Sequence, residues 1–284
     1  MLTASSCGHP PMPEGPEIRR AADKIAQVLE GQQIVDIHFG LDRLKGRERD
    51  FQGAEVREIE TRGKALLTHF ENELTIYSHN QLYGRWYVVK RDAYPKTNRS
   101  LRLALHTRKH SALLYSASDI SIWDRFELEL HPFLAKIGPD ILNPKLNWKE
   151  ISQRLRSKRF QRRTLASLYL AQDFLAGIGN YLRSEILFDA KVLPDARPRD
   201  LSVKQLNDLG RSTLKISQRA YQTAGITNPP RRVAYLKRQG LKRGAFRHAV
   251  FGRQRQSCYE CGDTIRKDLL SGRRLYWCPG CQDA

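Results

Sequence analysis

Apolar positions recur at helical spacing over residues 16–29, where Ile18, Ala21, Ala22, Ile25, Val28 and Leu29 share one face and Gly31 offers a stop. Pro16 suits a first helical position, and Glu17 suits the positive end of a helix dipole. The pattern then shifts to short β-rich runs at 33–39, 54–61, 65–70, 74–78, 85–89, 101–107 and 111–115, with Gly, Asn or Asp between them. Such close spacing predicts a β-sandwich or barrel. Residues 131–148 hold Pro132, Gly138, Pro139 and Pro144 and read as a linker. Beyond it, 149–158, 164–173, 180–189 and 203–223 predict helices with charged faces. No internal repeat of fixed period interrupts this order.

Composition narrows the partners. The 284 residues suffice for two or three domains, each with its own core. Lys and Arg number 49 against 30 Asp and Glu, a formal net charge of +19. That excess points to a polyanion, nucleic acid first. A membrane surface is the rival, but no apolar run approaches the ~18 residues of a spanning helix. The opening MLTASSCGHPP has neither a basic nor an apolar signal-peptide region. Four of five cysteines cluster near the C-terminus, which suggests metal in a reducing compartment and so a cytoplasmic protein.

Several stretches carry candidate chemistry. Cys258, Cys261, Cys278 and Cys281 form C-x2-C-x16-C-x2-C, the spacing of two knuckles joined by a β-hairpin. Four thiolates around one Zn2+ make a closed, structural site. Arg273 and Arg274 sit on that hairpin. AGIGNY at 176–181 precedes a predicted helix. Its glycines let backbone amides approach a phosphate and Asn180 suits a cap, although a plain helical connection explains the same residues. Residues 145–163 hold eight basic residues and one acid, and 231–255 hold nine and none. One such run is commonly a solvated face; two in a basic chain favour phosphate contact. Lys64 follows a turn glycine, and Leu82 and Tyr83 lie on a loop that could wedge into a base stack or cover a sheet edge. Pro13 would be a nucleophilic secondary amine at a mature N-terminus, with the Glu14 carboxyl beside it, but read alone Pro-Glu-Gly-Pro-Glu is most simply helix-start chemistry.

Together, MPEGPEIRRAAD, ETRGKALLTHF, YSHNQLYG, LLYSASDI, HPFL, FLAGIGNYLRSEIL and the YWCPGC ending resemble the formamidopyrimidine-DNA glycosylase/endonuclease VIII family. The likeness runs from Met12 to the C-terminus. Gly-Pro-Glu-Ile and the Gln81-Leu82-Tyr83 loop favour its endonuclease VIII branch. The resemblance implies an α+β multidomain fold: a catalytic β-sandwich with flanking helices (12–133), a helix–two-turn–helix DNA-binding domain (134–250) and a zinc ribbon (251–284). Residues 1–11 are expected to be a non-native or disordered extension. The implied enzyme is a monomeric base-excision-repair glycosylase and lyase, cytoplasmic and nucleoid-associated as in bacteria. It would act on double-stranded DNA containing damaged bases or abasic sites, with oxidised pyrimidines as its lesions. Pro13 would form the Schiff base and Glu14 donate a proton. Lys64 and Arg273 would serve β- and δ-elimination. Gln81, Leu82 and Tyr83 would fill the gap left by a flipped base, and Lys136 and Asn180 would hold phosphate. Three features depart from the family pattern: Lys136 in place of an arginine, a longer basic stretch at 228–255, and the residues preceding Pro13. A purine-lesion glycosylase is the alternative within the family. From a different functional class, the alternative is a non-catalytic damaged-DNA-binding relative, if Pro13 is never a free amine.

Overall fold

The structure, a computed structural model, describes residues 13–270 and 272–282, so the expectation for residues 1–11 lies outside the described residues. Helix α1 (Gly15–Leu29) buries Ile18, Ala22, Ile25 and Leu29, the stripe its spacing predicts. That stripe packs on two antiparallel sheets. Their strands are β1 (Asp36–Phe39), β2 (Val56–Arg62), β3 (Ala65–Phe70), β4 (Leu74–His79), β5 (Arg85–Lys90), β6 (Leu101–His106), β7 (His110–Tyr115) and β8 (Asp119–Asp124). One sheet has the order β1–β6–β7–β5 and the other β2–β3–β4–β8. Phe39, Leu103, Leu105 and Leu114 of the first face Leu66, Phe70, Ile76 and Ile120 of the second in one core. Removing each such side chain from water contributes about 1.5–3 kcal/mol.

Strand β1 starts later than the apolar run suggests. Ile34 donates to the Ala54 carbonyl, and Gln33 makes only an isolated bridge to Glu55. Strand β8 went unpredicted. Only Ile120, Ile122 and Trp123 mark it, and its place is decided by pairing with β4 from Leu74↔Asp124 to His79↔Asp119.

The segment read as a linker is docked. It includes the single turn Leu134–Lys136, and Asp140 bridges to Ala176. Helix α2 (Trp148–Arg156) is capped by Asn147, whose side chain accepts from Lys149 and Glu150 N–H. The helix predicted over 164–173 is shorter: α3 spans Leu165–Leu168, capped by Thr164. Beyond it the chain turns so that Phe174, Leu175 and Ile178 reach the core. The backbone freed from the helix finds other partners: Arg154 donates to the Asp173 and Phe174 carbonyls, and Gly138 N–H to that of Gln172. Helix α4 (Asn180–Asp189) matches its predicted bounds, and α5 (Val203–Gln222) opens on a Ser202–Gln205 capping box.

Two further helices, α6 (Pro230–Arg238) and α7 (Arg243–Phe246), lie in what reads only as a basic run. The hairpin of β9 (Arg266–Leu270) and β10 (Arg273–Trp277) packs on α4 through Phe188, Ile265 and Tyr276. Among the described residues no helix is long and apolar enough to cross a membrane.

Candidate active site

The site begins with the unsatisfied amides at the start of α4. Its N-cap is Gly179, which has no side chain to accept from them. Glu14 supplies the missing acceptor from the far end of the chain. Its carboxylate accepts from Gly179 N–H (2.8 Å), Tyr181 N–H (2.8 Å) and Leu182 N–H (3.2 Å). A Cβ on Gly179 would stand 2.4 Å from the Glu14 carboxyl carbon, so only glycine admits this approach. Gly15 N–H donates to the Gly177 carbonyl (2.8 Å), which fixes the start of α1 against the same loop. This corrects the two roles read from AGIGNY. Asn180 is the first helical residue and not the cap, and the amides hold a carboxylate of this chain in the place foreseen for a phosphate.

Glu14 is only 3% exposed. Burial pushes its pKa from 4.5 up to about 7, outweighing the nearby Lys64 charge and the amide bonds that favour the anion; Glu17 pushes it further up. Glu17 accepts from Glu14 N–H (3.1 Å) and the Tyr181 hydroxyl (3.0 Å), and Arg247 lies 3.5 Å away. Its own pKa is raised, chiefly by burial. Half-buried Pro13 therefore adjoins a carboxyl group poised to be an acid near neutral pH.

Lys64 reaches this group from the β2–β3 turn. Gly63 there has φ +66°, its N–H donates to the Asp140 carboxylate (2.6 Å), and a Cβ would meet Ala176 at 2.8 Å. The turn is thus clamped between the docked segment and the loop before α4. Burial lowers the Lys64 pKa, Arg273 lowers it further and Glu14 opposes both. Arg273 stands exposed at the start of β10. Its hairpin is tied to α4 by the buried Arg183, which donates to the Arg274 carbonyl (2.9 Å), the Ala166 carbonyl (2.8 Å) and Asn180 Oδ1 (3.5 Å). Tyr276 N–H adds a bond to Ser184 Oγ (3.1 Å). The structure therefore gathers Pro13, Glu14, Lys64, Asn180 and Arg273. Gln81, Leu82 and Tyr83 form the β4–β5 loop, with Leu82 and Tyr83 each 55% exposed. Lys136 is exposed at the end of its turn, and no hydrogen bond or ion pair among the described residues joins it to the carboxylate cluster.

The four C-terminal thiols lie within 4.8 Å of one another. Cys258 and Cys281 sulfurs are 3.8 Å apart and those of Cys261 and Cys278 3.3 Å, around the roughly 3.8 Å edge of a tetrahedron with ~2.3 Å metal–sulfur bonds. The cluster can bind a metal ion. The basic run before it divides in use. Arg247 faces Glu17, while Arg253 stacks on Tyr259 and donates to the Ser257 carbonyl. Arg232 lies 3.6 Å from Glu260. Arg247 thus ties the run to the start of α1, and Arg232 and Arg253 tie it to the first cysteine knuckle, so these three cations are engaged within the protein.

Sequence reasoning missed the supports of the site: Glu17 beyond its dipole role, Asp140, Tyr181, Arg183 and Glu185. The buried Glu185 accepts from Ala249, Val250 and Phe251 N–H, each at 2.8 Å, and joins α4 to the ribbon approach. The available signal was charge inside an apolar helix, where Arg183 and Glu185 interrupt YLRSEILF.

Comparison with known proteins agrees with this geometry. Residues 12–118 match the formamidopyrimidine-DNA glycosylase N-terminal domain, and residues 137–229 match the formamidopyrimidine-DNA glycosylase H2TH domain. Endonuclease 8 of Escherichia coli (strain K12 / DH10B) is 46% identical over 271 residues, covering 95% of this chain and 100% of that protein. Endonuclease 8 of Salmonella arizonae is likewise 46% identical with the same coverage. Among solved structures, Lactococcus lactis Fpg in complex with an oxidised-pyrimidine-containing DNA superposes with a TM-score of 0.78. It is 21% identical and covers 96% of this chain and 100% of its own, a likeness of fold. From the paired domain matches and the full-length identity, the chain belongs to the formamidopyrimidine-DNA glycosylase/endonuclease VIII family.

Proposed function

We propose that this protein is a DNA glycosylase and abasic-site lyase of base excision repair that removes oxidised pyrimidines. The observation that supports it most is Glu14: a carboxyl group next to Pro13, buried on the start of α4, whose pKa of about 7 lets it carry a proton at physiological pH. The Pro13 nitrogen attacks C1′ of the damaged nucleotide and the bond from C1′ to the base breaks, the amine proton leaving with the base; the C1′–O4′ bond then opens to give the iminium as Glu14 gives its proton to O4′. The resulting iminium acidifies the C2′ hydrogen. Loss of that proton breaks the C3′–O bond with departure of a phosphate, and a second elimination breaks the C5′–O bond. Lys64 and Arg273 supply protons and positive charge to these steps. Lowering of the Lys64 pKa by burial makes its ammonium a better acid.

The chemistry places a demand on the chain. A proline nitrogen in an amide with Met12 has no available lone pair and cannot form an iminium. The working enzyme therefore carries Pro13 as its first residue. Cys258, Cys261, Cys278 and Cys281 hold one zinc, which ties the hairpin that presents Arg273 and takes no part in the reaction. Asn180 and Lys136 contact phosphate, the lysine as a point charge. The enzyme acts as a monomer on duplex DNA.

A panel of duplexes, each carrying one oxidised pyrimidine or one formamidopyrimidine purine, tests the substrate class. Preferential cutting at pyrimidine lesions, leaving phosphates on both sides of the gap, is expected. Preference for purine lesions would move the enzyme to the other branch, and no cutting of any lesion would overturn the assignment.

A further inference from the structure

We infer that Arg99 and Ser118 are positioning residues that hold the Gln81–Tyr83 loop in the shape with which it enters a base stack. The inference rests on the glycosylase reading above. The loop is conformationally demanding, because Gln81 adopts φ +51°, a region that side chains other than glycine rarely occupy. Part of its support is local: Gln81 N–H donates to His79 Nδ1 (3.0 Å), and Gly84 N–H to the Asn80 carbonyl (2.7 Å).

Two further bonds come from distant connections. Ser118, between β7 and β8, donates its hydroxyl to Gln81 Oε1 (2.7 Å). Arg99, between β5 and β6, donates through its guanidinium to the Tyr83 carbonyl (2.5 Å). Both ends of the tripeptide are thereby tied to the sandwich, while Leu82 and Tyr83 point apolar surface at solvent. A wedge must displace stacked bases, and any ordering it needs on contact weakens it. A loop already held at its first and last residues needs none. The guanidinium suits this task, because it stays charged and makes a charge-assisted bond to a carbonyl.

Arg99→Ala, Arg99→Lys and Ser118→Ala in protein beginning at Pro13 test the inference. The first readout is amide hydrogen exchange of residues 81–84 in the free protein. Arg99→Ala should speed it, and Arg99→Lys, which keeps one donor, should restore most of the protection. The second is the ratio of base release from a duplex with one oxidised pyrimidine to strand cutting at an abasic site in single-stranded DNA, where no stack opposes the wedge. That ratio should fall at least about tenfold in Arg99→Ala, and less in Arg99→Lys and Ser118→Ala. Unchanged exchange overturns the inference. So does an equal loss on both substrates, which marks a general structural role. A salt dependence of duplex binding flatter by about one ion with an unchanged ratio overturns it too, by marking a phosphate contact. If the parent protein cuts neither substrate while Arg99→Ala still speeds exchange, the glycosylase reading has failed and the loop is held for another purpose.

Discussion

Glu14 shows how one side chain acquires a function from its surroundings. Its neighbours in sequence mark only a helix start, and in the structure it is the N-cap of α1. What makes it an acid is its burial, which outweighs the α4 amides that hold its carboxylate in place and favour the anion. Burial is the main cause of its raised pKa, and the Glu17 charge adds to it. The protonated form is the donor, so strand cutting should decline as pH rises through about 7. Removing the Glu17 charge takes away an upward push on Glu14, so Glu17→Gln should move that decline to lower pH. A pH profile of single-turnover strand cutting checks this, and an unmoved or upward-moved limb would contradict it. Glu14→Gln should lower the same rate by about 100-fold or more. The catalytic candidates were legible here as residue types in family motifs. Their supports were not. Asp140, Tyr181 and Arg183 act through tertiary hydrogen bonds that leave no local pattern.

Elements differed in legibility for physical reasons. α1 and α4 were readable because a periodic stripe or an all-buried run sets their ends. α3 was misjudged because its apolar spacing continues past Leu168 while the core requires the chain to turn. α6 and α7 were hidden because charge dominates their composition, although Leu236 and Phe246 are buried and anchor them. The β9–β10 hairpin is the clearest case of an element that needs help, since its strands are only five residues each and β9 is largely exposed. Zinc should therefore supply much of its folding free energy. Metal analysis should find one zinc per chain. Stripping it should expose residues 256–282 to proteolysis and lower duplex affinity, leaving the melting of the sandwich nearly unchanged. Fully active protein without zinc would contradict this.

In the whole molecule, the start of α1, the β2–β3 turn, the start of α4 and the start of β10 converge on one point. The first and last of these are separated by most of the chain. Glu14 on α4, Gly63 on Asp140 and Arg183 on the Arg274 carbonyl are the bonds that close it. A sequence reading could name the sheets, the helices and the ribbon, but the convergence follows only from how they pack. The claim that depends on all of them is that Pro13, once it is the first residue, is the nucleophile. Borohydride reduction during reaction with abasic-site DNA measures this directly, because it converts the iminium into a permanent cross-link. Protein beginning at Pro13 should be trapped, with the cross-link mapped by mass spectrometry to Pro13. Efficient trapping through another amine, such as that of Lys64, or no trapping at all by protein that still binds the DNA, would contradict it.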